Sequence, residues 1–470
     1  MVLTKSIVLF GLVMLVNPAF AQKQSAEILS RLSDQENVGT EVLTALSNSP
    51  TVRVFVAMHG PETPPAMTTQ SSSKRKLTIK ATRSEILSSL QAGDFELIRK
   101  FDNVSGFAGM ANPEAIAVLA SHPLVWRIDT DVGGSGHLVQ GLALSNFAVR
   151  KNKGYSGQGV TVAVADSGYD SDHPDLEDSL VREQCFCSGI PGTSVPCCPD
   201  GTSTQSDTGA AEDDNGHGSH VAGIITSNGV VAPEGGAPDA DIVAIKVLDE
   251  YNNFCCVSDV TAALDWIITS APEVNLVNLS LGTNDRFPAD CDTVNGWTEA
   301  LGQAIDTLKA RGVPVFVSSG NSGSGVDMSA PACIANAISV GAVWDSPVGS
   351  RTQFGCTDSN TAADKVTCFS NSSTTTDIFA PGALITSSGK GGGTATYAGT
   401  SQASPIVAAC AALLLEGSPN LQPKHLEATL KLSDVMVTDA TNGLSFPRLD
   451  CAVAVAVALA PFFSDGFEGD

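Results

Sequence analysis

Short apolar segments that each end in polar or glycine-rich residues constrain the fold of this chain more than any other feature. Four of them read GVTVAVADSG, ADIVAIKVLD, VNLVNLSLG and VPVFVSSGNSG, at residues 159–168, 240–249, 274–282 and 313–323. Helical patterns lie between these segments, at 257–269 and 296–311. Continuously apolar strands that alternate with helices predict an α/β fold, with a parallel sheet covered by helices on both faces. Loops at the carboxyl ends of such strands usually carry the functional site.

The first part of the chain predicts a second, smaller unit. A strand at 52–58, a helix at 81–93, a strand pair at 95–111, a helix at 113–123 and a strand at 125–131 follow one another, with SSSKRK (71–76) as a loop. This β-α-β-β-α-β order indicates a small two-layer α+β domain. Residues 1–135 carry almost no net charge, whereas the rest of the chain carries nearly all of the net charge of −24. The change in composition predicts a boundary near residue 135.

The two ends of the chain carry apolar segments of different kinds. A signal peptide is predicted over residues 1–21 by Lys5, the apolar run 6–16 and the A-x-A-like cleavage site Ala19-Phe20-Ala21. Cleavage is expected before Gln22, with export of the rest. A membrane anchor is the alternative, but the apolar run is short for a span. The apolar segment 451–463 is also too short and predicts a packed helix, followed by an acidic tail at 461–470.

All 12 cysteines lie after residue 184. An even number of cysteines in an exported chain favours disulfides over metal sites. Cys356–Cys368 and Cys291–Cys333 are the predicted pairs, and the four cysteines at 185, 187, 197 and 198 are expected to pair among themselves. A zinc knuckle is the alternative for that cluster, but its C-x-C and C-C spacings do not form two C-x-x-C pairs.

The segment AGTSQASPIVAA (398–409) contains two serines in a small-residue context. It follows a glycine-rich loop and opens a helical pattern, which places Ser401 at a helix start. Unpaired N–H groups there favour nearby negative charge such as a tetrahedral oxyanion. Ser404, one turn further on, is expected to pack or to cap. By itself this motif could be an ordinary helix N-cap.

Two further segments supply the partners that an activated serine needs. EDDNGHGSHVAG (212–223) carries His217 and His220 where a small-residue helix begins, and VAVADSGYDSDHPDL (162–176) places Asp166 at a strand end. A histidine can serve as the base, and a buried carboxylate can orient its imidazole. The alternatives are a surface turn histidine, a two-histidine metal site and a turn aspartate. No HExxH pattern supports a metal.

With these three motifs in the order Asp, His, Ser, residues 140–455 resemble the subtilase family of subtilisin-like serine peptidases. VADSG resembles the aspartate motif, HGSHVAG the histidine motif and GTSQASP the serine motif. The resemblance implies a subtilisin-like α/β fold and a catalytic triad of Asp166, His217 and Ser401. Asn321 in SSGNSG matches the oxyanion-hole asparagine. His220 is then structural.

The resemblance also implies substrate and metal contacts. Ser280, Leu281 and Gly282 match the segment that pairs with an extended substrate backbone. Asp175 matches a calcium-ligand aspartate, but the loop near Asn228 does not match the rest of that site, so calcium stays open. Thr283 in place of a second glycine, and serines 318–319 in place of more usual small apolar residues, leave the preferred substrate side chain open as well. Gln402 in place of a frequent methionine removes an oxidisable thioether beside the serine, which predicts tolerance to peroxide.

The smaller unit, residues 22–135, resembles the family's propeptide, and residues 103–131 carry that match. In the family this domain assists folding and inhibits the enzyme until it is removed, which implies a cut within 131–141 and a catalytic domain over 136–460. The expected protein is therefore a secreted serine endopeptidase made as a self-processing zymogen. Its expected partners are protein or peptide substrates and its own propeptide.

The same reasoning gives several expected absences. The acidic charge argues against a nucleic-acid partner, and no cofactor is required for the chemistry. A monomer without stable membrane insertion is expected. The alternative function is a catalytically silent, secreted binding protein of the same fold. A lipase or esterase would need the pattern G-x-S-x-G, which Ser401 does not have.

Overall fold

The computed structural model describes residues 28–33, 35–59, 69–100, 105–130, 138–188 and 195–458. The chain divides into two compact units, Met1–Gly134 and Ser135–Asp470. The predicted signal peptide, most of the predicted propeptide cleavage region and the acidic tail lie outside the described residues. No helix within the described ranges is long and apolar enough to cross a membrane.

The first unit is built on a four-stranded antiparallel sheet with the order β2-β3-β1-β4. Its elements are α1 (Thr40–Asn48), β1 (Val52–Met58), α2 (Thr69–Ser88), β2 (Phe95–Lys100), β3 (Gly106–Ala111), α3 (Pro113–Ser121) and β4 (Val125–Thr130). Alternate strand residues such as Val54 and Val56 are fully buried against the helices. The predicted β-α-β-β-α-β order is therefore found, with α1 as an additional helix in front.

Helix α2 corrects the sequence-based expectation of a loop at 71–76 and a helix only from 81. It begins at Thr69 and includes the whole basic segment. Lysine and arginine are good helix formers, so a run of them can form the solvated face of a helix. Ile79 and Ile86, seven residues apart, lie on the buried face of the same helix.

The second unit contains an eight-stranded sheet with the order β16-β13-β11-β9-β5-β8-β6-β7. Seven strands are parallel, and β7 pairs antiparallel with β6 at one edge. The strands are β5 (Thr161–Asp166), β6 (Leu180–Phe186), β7 (Thr204–Ser206), β8 (Asp241–Lys246), β9 (Val274–Leu279), β11 (Val315–Ser318), β13 (Ile338–Val343) and β16 (Ile378–Pro381). The predicted parallel sheet is confirmed.

Helices cover both faces of this sheet. They are α4 (Leu138–Leu144), α5 (Ala148–Lys153), α6 (His217–Thr226), α7 (Val257–Ser270), α8 (Gly296–Ala310), α9 (Thr400–Gly417), α10 (Pro423–Leu430) and α11 (Cys451–Ala458). Successive residues of a strand point to opposite faces. Val162 and Val164 accordingly pack with α6 and α9, whereas Ala163 and Ala165 pack with α7 and α8. The apolar runs that predicted the strands are thus buried on both sides.

Smaller strands complete the unit. They are β10 (Arg286–Phe287), β12 (Met328–Ser329), β14 (Arg351–Gln353), β15 (Cys356–Asp358), β17 (Ile385–Gly389), β18 (Gly393–Tyr397), β19 (Met436–Thr438) and β20 (Ser445–Pro447), which form four two-stranded sheets. The hairpin of β17 and β18 matters for the site, because β17 packs against α6 and the hairpin leads directly into α9.

The cysteines form six disulfides. Both predicted pairs, Cys356–Cys368 and Cys291–Cys333, are confirmed, and the cluster pairs internally as Cys185–Cys198 and Cys187–Cys197. The remaining two disulfides are Cys255–Cys256 and Cys410–Cys451. The last of these joins the central helix α9 to α11, so it ties the carboxyl-terminal helix to the core.

Candidate active site

Asp166 and His217 form a buried carboxylate–imidazole pair. Asp166 is the last residue of β5 and is fully buried, and His217 is the first residue of α6. The distance from Asp166 Oδ1 to His217 Nδ1 is 2.6 Å. The neighbouring strand fixes the aspartate backbone, because the N–H groups of Val247 and Leu248 donate to the Asp166 carbonyl at 2.8 and 3.1 Å. The parallel sheet and the helix start therefore bring together two residues that lie 51 positions apart.

The surroundings of His217 favour its protonated form. Burial alone would lower the pKa of the imidazole, because the charged form loses hydration. The charge and hydrogen bond of Asp166, together with the charge of Asp213, oppose this, and the net pKa lies above its usual value. A general base must carry a proton during the reaction, so stabilisation of the imidazolium is the property that a base in this position needs.

Asp213 holds the start of α6 and was not assigned a role from the sequence. Its carboxylate accepts hydrogen bonds from Ser219 Oγ at 2.6 Å, Gly216 N at 2.8 Å and Ser167 Oγ at 2.9 Å. Burial would raise the pKa of Asp213, but these hydrogen bonds more than offset it and the pKa lies below its usual value. The first N–H groups of a helix need such acceptors. The available signal was an acidic residue just before the histidine motif.

His220 lies on the same helix as His217 but has a different environment. Its Nε2 lies 3.0 Å from the carbonyl oxygen of Ile385 in β17. Burial, and then the charge of His217, lower its pKa to about 3. A histidine of this kind stays neutral at ordinary pH and makes a structural contact to the neighbouring hairpin.

Ser401 is the second residue of α9, the helix that packs against α6. Its Oγ donates to the carbonyl oxygen of Ser280 at 3.2 Å, and Ser280 Oγ donates to the Ser401 carbonyl at 2.8 Å. The described contacts thus engage Ser401 with the end of β9 and include no hydrogen bond to His217. Hydrogen bonds between nucleophile and base are often long without substrate and tighten in the complex.

Ser404 makes a buried contact below Ser401, in agreement with its expected packing role. Its Oγ donates to Asn278 Oδ1 at 2.7 Å, and Asn278 Nδ2 donates to Ser280 Oγ at 3.0 Å. This chain of hydrogen bonds connects the first turn of α9 to the end of β9. Leu281 and Gly282 follow, and a Cβ on Gly282 would lie 2.8 Å from Ser329 Cβ, so the backbone turns there in close contact with its neighbour.

Asn321 follows β11 and is oriented by the residue before Ser401. Its Oδ1 accepts from the Thr400 N–H at 2.8 Å and from Thr400 Oγ1 at 3.0 Å. The amide oxygen is therefore occupied, and Nδ2 is the group that remains as a donor. The preceding residue, Gly320, has a φ of +107°, and a Cβ there would lie 2.5 Å from Asn371 Nδ2. Glycine is needed at this position for the turn that presents Asn321.

The surroundings of Asp175 do not fit the calcium site that the sequence resemblance left open. Its Oδ1 accepts from the N–H groups of Val230 and Val231 at 2.6 and 2.9 Å, and its Oδ2 accepts from Ala232 N at 2.6 Å. A calcium ion needs several oxygen ligands around it. Here both carboxylate oxygens face N–H donors instead, so the loop that follows Asn228 is held by the carboxylate itself.

We expect Asp175→Ala to lower the free energy of unfolding by about 1–3 kcal/mol, because backbone donors lose their acceptor. The decrease should be the same in calcium chloride and in excess chelator, measured by urea unfolding. Asp178→Ala, at an exposed neighbouring position, serves as the matched control and should change little. A calcium-dependent stabilisation of the wild type that disappears in Asp175→Ala would contradict this interpretation.

Comparison with known proteins identifies the family. The sequence profile described as "Subtilase family" matches residues 157–450. An alkaline protease of Alkalihalobacillus alcalophilus is 32% identical over 350 residues, covering 74% of this chain and 78% of that protein. Subtilisin Savinase of Lederbergia lenta is 34% identical over 281 residues, covering 60% of this chain and 85% of that protein. A solved structure of a cold adapted subtilisin-like serine proteinase aligns with a TM-score of 0.48 and 27% identity, covering 63% of this chain and 89% of that chain.

The family profile and the similarity to the two proteases define the class of the protein as a serine endopeptidase, a hydrolase of peptide bonds. The chain belongs to the subtilase family. Both the family and the α/β fold class with a parallel sheet that the sequence predicted are therefore confirmed.

Proposed function

We propose that the protein is a secreted serine endopeptidase that acts through Asp166, His217 and Ser401 and is made as a self-processing zymogen. The observation that carries this proposal is the 2.6 Å contact between Asp166 and His217 at the start of a buried helix. The helix that begins with Thr400 and Ser401 packs directly against it. Three sequence motifs from distant parts of the chain thus lie on adjoining elements.

In this proposal Ser401 Oγ attacks the carbonyl carbon of the scissile peptide bond. His217 takes the serine proton and then gives it to the leaving amine, so that an acyl-enzyme remains. Asp166 holds the imidazole through Nδ1, which leaves Nε2 to exchange the proton. Water then attacks the acyl group with His217 again as the base, and Ser401 is released.

The developing negative charge on the carbonyl oxygen has two proposed donors. One is the N–H of Ser401, which is unpaired in the first turn of α9. The other is Asn321 Nδ2, because its amide oxygen is already engaged by Thr400. Donors that are fixed before the reaction stabilise the oxyanion without reorganisation. Ser280, Leu281 and Gly282 are proposed to pair with the extended substrate backbone at the end of β9.

Secretion and zymogen processing are part of the same proposal. The signal-like residues 1–21 support export, and six disulfides suit an oxidising compartment. The first unit is a separate compact unit whose net charge is close to zero, and this supports the propeptide role. The proposed cut lies within 131–141, and the proposed mature enzyme is a monomer that needs no cofactor for its chemistry.

The test is the mass of the secreted chain for the wild type and for Ser401→Ala. The wild type is expected to lose its first unit near 131–141, whereas Ser401→Ala should keep it. Ser404→Ala serves as the matched control and should be processed. Identical processing of Ser401→Ala would contradict self-processing, and a casein assay of that processed variant would then decide whether Ser401 is the nucleophile.

A further inference from the structure

Lys246 is a fully buried lysine beside the aspartate of the proposed triad. It is the last residue of β8, and in the parallel ladder its Cα is paired with that of Asp166. Its side chain has no exposure to solvent. Lysine is almost never fully buried unless its charge is paired, because the loss of hydration is costly. A lysine in this position therefore requires an explanation from its contacts.

All three N–H donors of the Lys246 ammonium group are used. Nζ donates to the carbonyl oxygen of Ser167 at 2.6 Å, to the carbonyl oxygen of Leu248 at 2.9 Å and to Asp214 Oδ1 at 2.6 Å. The Asp214 side chain is 44% exposed, so the ion pair has one buried and one half-exposed partner. The backbone of Asp214 is also held, because Lys390 Nζ donates to its carbonyl oxygen at 2.5 Å.

These contacts join the two segments that carry the carboxylate–imidazole pair. Ser167 directly follows Asp166, and the Leu248 N–H donates to the Asp166 carbonyl. Asp214 lies three residues before His217, next to the Asp213 that caps α6. One ammonium group thus connects the end of β5, the end of β8 and the approach to α6. A shift of any of these would change the distance between Asp166 and His217.

We propose that Lys246 is a positioning residue of the peptidase reaction, with Asp214 as its counter-ion. It fixes the segment of Asp166 against the segment of His217, and its charge is paired with that of Asp214, three residues before His217. This inference rests on the proposed roles of Asp166 and His217. Lys246 itself acts through these residues, since its three donors are all engaged by the protein.

A purely structural ion pair would affect stability alone, so the test needs a second readout. That readout is the titration of His217, which reports the net charge around it. The charged and titratable groups that face His217 or adjoin its segment are Asp166 from β5, Lys246 from β8, Asp213 and Asp214 before α6, His220 on α6, and Lys390 and Tyr397 from the β17–β18 hairpin. Changing one member of the ion pair changes this balance with a known sign.

The two halves of the pair should move the pH profile in opposite directions. Lys246→Met leaves the negative charge of Asp214 unbalanced, which raises the pKa of His217 and moves the acid limb of kcat/KM to higher pH. Asp214→Asn leaves the positive charge of Lys246 unbalanced and moves that limb to lower pH. Each shift should be about 0.5 pH unit. The double variant should return close to the wild-type profile.

Positioning adds an effect on rate. In Lys246→Met we expect kcat/KM at the optimum pH to fall by about 10- to 100-fold, chiefly through kcat, because small misplacements of catalytic groups are costly. Lys246→Arg should recover part of the activity. Lys431→Met serves as the matched control. Lys431 also forms an ion pair, with 2.9 Å between its Nζ and Asp377 Oδ1, but this pair is not part of the site.

The outcomes separate this inference from the proposed function. If Lys246→Met folds and both its kcat/KM and its acid limb are unchanged, the proposed role of Lys246 is wrong. The proposed function would not be affected by that result, because Ser401→Ala tests the nucleophile independently. If Lys246→Met does not fold, Asp214→Asn provides the test instead. Asp214 is the half-exposed member of the ion pair, so its substitution is expected to leave the fold intact. An acid limb that stays fixed in Asp214→Asn overturns the inference, and a limb that moves to lower pH supports it.

Discussion

Asp166→Asn is expected to lower kcat by about 10⁴-fold while the fold is retained. Asparagine fills the same volume at the end of β5, but it offers Nδ1 of His217 a neutral amide in place of a carboxylate. The imidazolium then loses its charge partner, and the hydrogen bond no longer selects the tautomer that keeps Nε2 free for the serine proton. The measurement is kcat on a chromogenic peptide substrate, with circular dichroism to confirm folding.

The same variant should change the pH profile in a defined direction. The charge and hydrogen bond of Asp166 raise the pKa of His217 against the opposing effect of burial. Without that charge, burial prevails and the pKa falls, so the acid limb of kcat/KM should move to lower pH. Asp241→Asn changes a partly buried aspartate at the opposite end of β8 and should leave both readouts unchanged. A kcat within tenfold of the wild type would contradict the proposed role of Asp166.

Asn321→Ala is expected to lower kcat by about 10²- to 10³-fold with little change in KM, because the lost donor acts on the oxyanion that forms only in the transition state. The structure supports this because the amide oxygen is engaged by Thr400 and only Nδ2 remains. Rates of acylation by a peptide ester and by a peptide amide would measure the effect on the chemical step.

The loss of the contacts to Thr400 provides a second explanation for such a decrease, and Asn321→Asp separates the two. Aspartate keeps an acceptor for the Thr400 N–H and hydroxyl but lacks the donor and adds a negative charge. We therefore expect Asn321→Asp to be no more active than Asn321→Ala. Recovery of activity in Asn321→Asp would show that orientation of Thr400 matters and that Nδ2 does not.

Much of the fold could be predicted because its signals are local. The strands β5, β8, β9 and β11 are apolar runs buried on both faces, and such runs are seldom compatible with anything but a covered parallel sheet. The motifs around Asp166, His217 and Ser401 are short and contiguous, so their residues could be named from the sequence. The disulfide Cys291–Cys333 was also predicted correctly, although its cysteines lie 42 residues apart.

Other features depended on partners that lie far away in the sequence. The sequence predicts a loop at the basic segment 71–76 because its charge is visible there, whereas the burial of Ile79 and Ile86 further along the same helix depends on the fold of the whole unit. In the sequence, Asp175 matches the position of a cation ligand. In the structure, the backbone N–H groups of residues 230–232 donate to both of its carboxylate oxygens, and this arrangement depends on the fold of that loop.

Lys246 shows the same limit at the site itself. In the sequence it is one charge within an apolar strand, which carries no signal of a role near Asp166 or His217. Its burial and its three acceptors come from segments up to 79 residues away that meet only when the sheet has formed. Residue types and spacing therefore predict which groups of this site react. The charged residues that support these groups are determined by burial and hydrogen bonding, and these become known only from the tertiary structure because they depend on the whole fold.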